Sequence, residues 1–356
     1  MRVLFVTAEN RHGHDFLSDN VAQSFWAMWR RQEIAEFAIW PTAPWLRLDE
    51  HPDRPDTGIP APGARDECQI ESDSAMSDVP MGLSGPADLI VGSTHAGAEL
   101  AKAFQHSARV ALIDGNDRAD DLRGSIPHHV YFKRELPQGA TWAVPIPFTY
   151  PARRIPKEPL PRKMRVVYYA SDAGKTADAR MRIVSELKRT LGDAADCATL
   201  DDRSVRPKPE ELHHKLWTSM IGVHWNPYHS QRGQHGWWGN RFVENLAFGV
   251  ACIAMRPWVE IPHPYTDGEN VIWVDRPEDV AVRAAELMDD VERCLRIAKA
   301  GHAHFLKYHS AEAVARYVIQ RMGLGDKLLK PEATKPEEPP GAYLGALRTC
   351  CAGQIF

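Results

Sequence analysis

A chain of 356 residues, 44% of them apolar and 25% charged, is long enough to build two hydrophobic cores and too apolar to remain unfolded. Its net charge of −4 excludes a global basic signal for nucleic acid or an anionic membrane and leaves only a local basic groove open. The six cysteines (Cys68, Cys197, Cys252, Cys294, Cys350, Cys351) contain no CxxC pair, which suits reduced thiols rather than a disulfide framework or a structural zinc site.

The first apolar run, 3–7, reads as a buried parallel strand. It ends at Glu9, Asn10 and Arg11, too soon for a signal-peptide core or an integral membrane segment, so the expected location is cytoplasmic. A helix over 16–31 follows, with Val21, Phe25, Met28 and Trp29 near helical spacing, then a strand at 36–40. From 41 to 86 the chain is rich in Pro, Asp, Ser and Gly and reads as loop or insertion. Order resumes with a strand ending near His95, a helix over 98–105, and strands at 109–113 and 129–132. Strands alternating with helices predict a doubly wound parallel sheet for residues 1–150.

Four prolines between 151 and 163 deny helix and sheet alike and mark a linker. The alternation then starts again: strand 165–170, helix 177–191, strand 197–200, helix 210–217 and strand 220–225. A long polar and aromatic loop leads to a helix over 239–248 that stops at Gly249, and a buried strand follows at 250–255. A strand at 271–274 precedes helices at 277–288, 291–308 and 311–322. The second α/β domain is therefore drawn from 164 to 325, with a tail over 326–356 that is Pro-, Glu- and Lys-rich from 330 to 340 and can form one more short packed element over 342–356.

In such sheets ligands bind at the carboxyl ends of the strands. That rule points to the loop after the first strand, where His12, His14 and Asp15 offer catalytic groups, and to His95 and Asp114 at comparable strand ends; each reads equally as a polar surface residue. Lys133 and Glu135 are either a cleft-lining cluster or a charged strand edge. In the second half, Lys175 in the loop after the first strand and Arg180 one turn into the helix are candidates for neutralising a diphosphate, or cations that solvate a helix face. Trp237 and Trp238 end a loop whose aromatic rings either stack on a base or sugar or are pinned to the core. Glu244 alone is an ordinary helical carboxylate, and Arg241 lies three positions earlier on the same face.

The segment Arg241-Phe-Val-Glu244-Asn-Leu-Ala-Phe-Gly249, with the apolar run after it, resembles the donor-site helix and following strand of the retaining group-one glycosyltransferases. Within them it resembles the spore-maturation-protein (CgeB-like) branch, whose pattern runs Arg-x-x-Glu, then Ala-x-Gly and a buried strand. Tyr265-Thr-Asp-Gly and Pro277-Glu-Asp downstream, and Val130-Tyr-Phe-Lys-Arg-Glu135 and Pro145-Ile-Pro-Phe148 upstream, look like further parts of the same pattern. The resemblance implies a GT-B architecture of two Rossmann-like domains and transfer of a sugar from a nucleoside-diphosphate sugar to an acceptor hydroxyl, with retention and without an obligatory metal or other cofactor. It implies that Glu244 takes the ribose hydroxyls, as an ionised carboxylate accepts two vicinal hydroxyl protons at once. Gly239, Asn240 and Arg241 at the helix start join it in the donor site. One departure is that Trp237 stands where many such enzymes carry a second glutamate for the sugar.

Three other readings stay open on the residues. A sugar-nucleotide epimerase shares the fold and the glutamate, a non-catalytic binding protein fits the missing acid, and a metal hydrolase would use His12 and His14 with further ligands at later strand ends.

Overall fold

The computed structural model describes residues 1–7, 16–40, 83–104, 109–116, 120–150, 155, 161–171, 177–200, 207, 209–230, 233–236 and 239–329. The chain divides into two compact units, each built around one sheet.

The first unit contains β1 (Arg2–Val6), α1 (Phe16–Arg30), β2 (Glu36–Trp40), β3 (Leu89–Ser93), α2 (Gly97–Ala103), β4 (Val110–Asp114), β5 (Val130–Lys133) and β6 (Val144–Pro145). The strands lie in the order β2-β1-β3-β4-β5-β6, every neighbouring pair parallel. Because strand side chains alternate between faces, the continuous apolar run of β1 feeds two cores. Val3 and Phe5 pack with Val21, Phe25 and Met28 of α1, whereas Leu4 and Val6 pack with Leu100 and Ala103 of α2. The chain leaves β1 toward β2 on one side and β3 on the other, which creates a switch point at their carboxyl ends.

The second unit contains β7 (Lys163–Ser171), α3 (Ala177–Leu191), β8 (Ala195–Leu200), α4 (Pro209–Trp217), β9 (Ser219–His224), the antiparallel hairpin β10 (Pro227–Ser230) and β11 (Gly233–Gly236), α5 (Asn240–Ala247), β12 (Ala251–Met255), β13 (Ile272–Val274), α6 (Pro277–Asp289) and α7 (Val291–His304). Its parallel sheet runs β13-β12-β9-β7-β8, so its switch point lies between β7 and β9. Ile183, Val184 and Leu187 of α3 and Val280, Ala284 and Leu287 of α6 share one core with Val166, Tyr168, Ile221, Val223 and Ile253. α5 lies close on β9 because Gly222 has no Cβ; a methyl there would sit 2.7 Å from the Asn245 side chain.

The long polar loop expected after β9 contains the β10–β11 hairpin, whose polar composition carries no alternation of apolar residues to announce it. The long helix expected from residue 291 gives way after α7 to a single π-helical turn, Phe305–His309. The chain enters the first unit for Glu260–Pro262 and returns to it from His309, so α8 (Ala311–Arg321) belongs there and not, as the expected boundary at 325 implied, to the second alternation. The reason is apolar: Val314, Ala315, Val318 and Ile319 of α8 complete the core formed by Val21 and Phe25 of α1. Arg316 Nη2 holds Glu33 Oε2 at 2.7 Å, and Thr149 Oγ1 donates to the His309 carbonyl at 2.7 Å.

Candidate functional site

α5 starts and stops for identifiable reasons. Gly239, with φ −104° and ψ 163°, is its N-cap and offers no side chain to the first turn. At the other end Gly249 takes φ +65°, a left-handed conformation that suits glycine. The Gly249 N–H donates to the Leu246 carbonyl at 3.0 Å and the Val250 N–H to that of Asn245 at 3.1 Å, a Schellman termination. Arg162 donates to the carbonyls of Phe248 and Gly249, placing a cation at the negative end of the helix dipole.

Helical side chains lean toward the N-terminus, so Glu244 reaches back over the first turn of α5. Asn240 Nδ2 donates to its Oε1 at 3.0 Å, and Arg241 Nη1 lies 2.7 Å from its Oε2. The latter contact is an ion pair without hydrogen-bond geometry, since neither atom has a hydrogen-bond partner and both are shielded from solvent. His213 on α4 brings Nε2 to 3.8 Å from Oε1, and its ring stacks on Phe248 at 5.0 Å. Burial by itself raises the Glu244 pKa, but Arg241, then His213 and His224, outweigh it and hold the carboxyl down at about 2. Glu244 is thus an ionised acid held inside the protein by the Arg241 guanidinium and two neighbouring imidazoles.

The same helix start meets the switch point of the sheet. His224 ends β9 with its ring edge-on to Phe242, and the position of a Gly239 Cβ would be 2.7 Å from His224 Cε1 and 3.5 Å from Asn226 Nδ2. Gly239 therefore lets the first turn of α5 approach the end of β9. From α3, Arg180 Nη2 donates to Asn226 Oδ1 at 3.0 Å. Arg180, Asn226, His224, Gly239, Asn240, Arg241 and Glu244 form one contiguous cluster where a doubly wound sheet receives ligands.

The first unit departs from expectation. Asp114 and Lys133, expected at a cleft, are both 0% exposed and paired, Nζ to Oδ2 at 2.9 Å. They are cross-strand partners on β4 and β5, which puts them side by side within the sheet. The Tyr131 hydroxyl also donates to Asp114 Oδ2, and the backbone and side-chain amides of Asn116 donate to Oδ1 at 3.0 and 2.8 Å. With four donors the Asp114 carboxylate is saturated, and it is a structural tie. Glu135, also expected in a cleft, is buried and accepts from Arg134 Nε at 2.9 Å, with the guanidinium over Phe148. His95 is exposed in the 3-10 turn Thr94–Ala96 at the carboxyl end of β3, and its N–H donates to Ser93 Oγ at 3.2 Å. Asn116 Nδ2 reaches Thr94 Oγ1 at 3.1 Å, so the saturated acid also anchors that turn.

His12, His14, Asp15, Lys175, Trp237 and Trp238 lie outside the described residues. Sequence reasoning missed His213, His224 and Asn226. The strand-end rule that selected His95 applies equally to His224 and Asn226, whereas His213, on a separate helix, carries no local signal. Among the described residues no three His, Cys, Asp or Glu side chains are grouped to hold a metal ion, and no helix is long and apolar enough to cross a membrane.

A family model described as glycosyl transferase-like matches residues 176–320, less than half of the chain and including all of α5. A glycosyltransferase involved in avilamycin A biosynthesis, AviGT4, aligns over 91% of this chain and 97% of its own with a TM-score of 0.52 at 10% identity. An alpha-glucosyltransferase solved with UDP-glucose and DNA containing an abasic site aligns over 91% and 99% with a TM-score of 0.51, also at 10% identity. The fold is GT-B. At these identities the likeness is one of fold, and it agrees with the two parallel-sheet domains expected from sequence. No match is found among the curated proteins.

Proposed function

We propose that this GT-B chain is a glycosyltransferase that binds a nucleoside-diphosphate sugar on its second unit and passes the sugar to an acceptor hydroxyl. The observation that carries the reading is Glu244: an acid held ionised in the interior, at a helix start on a switch point, inside the segment that matches a glycosyltransferase family model. An ionised carboxylate accepts hydrogen bonds only, and a ribose diol supplies two donors at matching spacing. Arg180 and Arg241, together with Lys175, are assigned to the diphosphate. There they stabilise the negative charge that builds on the leaving oxygen as an oxocarbenium-like centre forms. Retention, independence of an obligatory metal and membership of the CgeB-like branch rest on the Arg-x-x-Glu and Ala-x-Gly pattern and are part of the proposal.

A thermal-unfolding screen of UDP-, GDP-, ADP- and dTDP-sugars tests the reading, with UDP-glucose first. A ligand at about one hundred times its Kd stabilises the folded chain by about 2.7 kcal/mol, a shift of several degrees. A binding sugar nucleotide that is then hydrolysed slowly in water, or transferred to an added acceptor, supports the assignment. The absence of any shift across the panel, with no release of nucleotide on long incubation, overturns it.

A further inference from the structure

The cluster around Glu244 contains an obstacle to its own proposed use. Both carboxylate oxygens are engaged: Oε1 accepts from Asn240 Nδ2 at 3.0 Å, and Oε2 lies 2.7 Å from Arg241 Nη1. Oε2 and Nη1 are both shielded from solvent, although the Arg241 side chain as a whole is 31% exposed. Nη1 lies at contact distance on Oε2, so a sugar hydroxyl that takes this oxygen competes with the guanidinium. The contact lacks hydrogen-bond geometry at either atom, so the pair holds by charge and gives up no hydrogen bond when it separates. The guanidinium also sits on the first turn of an uncapped helix, near the carboxyl end of β9 where Arg180 reaches over from α3 to Asn226. Positive charge and open helix start together suit an anion.

Resting on the donor-site reading above, we infer that Arg241 is a latch on the ribose acceptor and the group that couples it to the diphosphate. Closed, its guanidinium covers Glu244 Oε2. Opened, it exchanges the carboxylate for the phosphate oxygens of the same ligand, and the uncovered oxygen takes a ribose hydroxyl. A nucleoside without phosphates must break the ion pair and offers nothing in return, whereas a nucleoside diphosphate supplies the replacement anion. The latch thus makes the site discriminate against nucleosides. Arg241 is here a specificity-determining residue, and the chemistry it selects is a ribose diol joined to a diphosphate.

Calorimetric titration of the full chain tests this with the tightest binder among UDP, GDP, ADP and CDP, and with the matching nucleoside. In Arg241→Gln the nucleoside is expected to bind about threefold to tenfold more tightly and the diphosphate about tenfold more weakly, each from the loss of one charged contact. The preference for diphosphate over nucleoside then falls by about thirtyfold or more. Arg241→Lys, which keeps the charge but cannot span both anions in the same way, is expected to fall between the two and guards against a Gln variant that fails to fold. An unchanged preference in both folded variants overturns the latch and returns Arg241 to a purely structural pair. Glu244→Gln separates the two failures: if it weakens both ligands while the Arg241 variants leave the preference intact, the ribose site stands and the latch falls, and if it weakens neither, the ribose site itself is wrong.

Discussion

Substituting Glu244 by glutamine keeps the size and shape of the side chain and changes only its charge and one lone-pair set. The carboxyl is held near pKa 2, so at neutral pH the native residue presents two acceptor oxygens. Glutamine keeps one acceptor and turns the other position into a donor, which faces a hydroxyl that also has a proton to give. A hydrogen bond to a charged group contributes about 1.5–3 kcal/mol, so nucleotide affinity is expected to drop by about tenfold to a hundredfold. The change also removes the counter-charge of Arg241 and costs the fold on the order of 3 kcal/mol at neutral pH, so the titrations are made well below the variant's melting temperature. The decisive form of the measurement is a cycle. UDP and 2′-deoxy-UDP, or the corresponding pair for whichever base binds, are titrated by calorimetry into the native chain and into Glu244→Gln. Removing the 2′-hydroxyl should cost the native protein about tenfold and the variant much less, because the partner of that hydroxyl is already impaired. Equal deoxy penalties in the two proteins, with unchanged far-ultraviolet circular dichroism, would refute the assignment of Glu244 to the ribose.

The depressed Glu244 pKa also has a consequence for stability. Its folded value of about 2 lies below the ordinary 4.5, so the contribution is full above pH 4.5 and is lost as pH falls toward 2. The gap corresponds to on the order of 3 kcal/mol, and denaturant titrations at pH 6 and pH 3 should show a larger loss for the native chain than for Glu244→Gln. Asp114→Ala leaves the fully buried Lys133 ammonium without its counter-charge, and urea denaturation should report a loss of about 3–5 kcal/mol. Gly301→Ala places a methyl 2.6 Å from the Asn270 carbonyl oxygen and 2.9 Å from Leu246 Cδ2, where α7 passes α5. Backbone cannot yield as a side-chain tip does, so a cost of about 1–3 kcal/mol is expected as a lowered Tm.

Most of the scaffold was legible because its strands are buried on both faces and read as apolar runs between turn residues; α3, for example, spans the residues its helical spacing predicted. What was not legible depends on partners distant in sequence. α8 has the same amphipathic pattern whichever core it joins, and only the complementary surface of α1 decides that it completes the first unit. Asp114 reads as a strand-end candidate, and Lys133 and Glu135 as either a cleft-lining cluster or a charged strand edge; the burial of Asp114 with Lys133 follows from a cross-strand pairing that spacing does not reveal. Glu244 was found by a local pattern, but its surroundings were not. His213 approaches from another helix and Asn226 from the end of another strand, and neither proximity is encoded within α5.

The two buried acids invite a direct comparison, because a buried ion pair is a poor source of stability and replacement by packed apolar groups is often neutral or better. Asp114 has four donors on two oxygens and ties β4, β5 and the turn after β3 together, so exchanging Asp114 and Lys133 for Asn and Met should leave Tyr131 and Asn116 poorly satisfied and lower stability. At Glu244 the neighbouring groups outweigh the penalty of burial for the charge, but one oxygen has an ion pair and no hydrogen bond, an arrangement that packed apolar side chains can replace. Glu244→Leu with Arg241→Met is therefore expected to unfold at a temperature equal to or above that of the native chain while losing nucleotide affinity. If that double variant is instead destabilised by several degrees and still binds nucleotide, the pair belongs to the scaffold. A gain in stability bought at the expense of binding would mean that the acid is kept in the interior for the ligand.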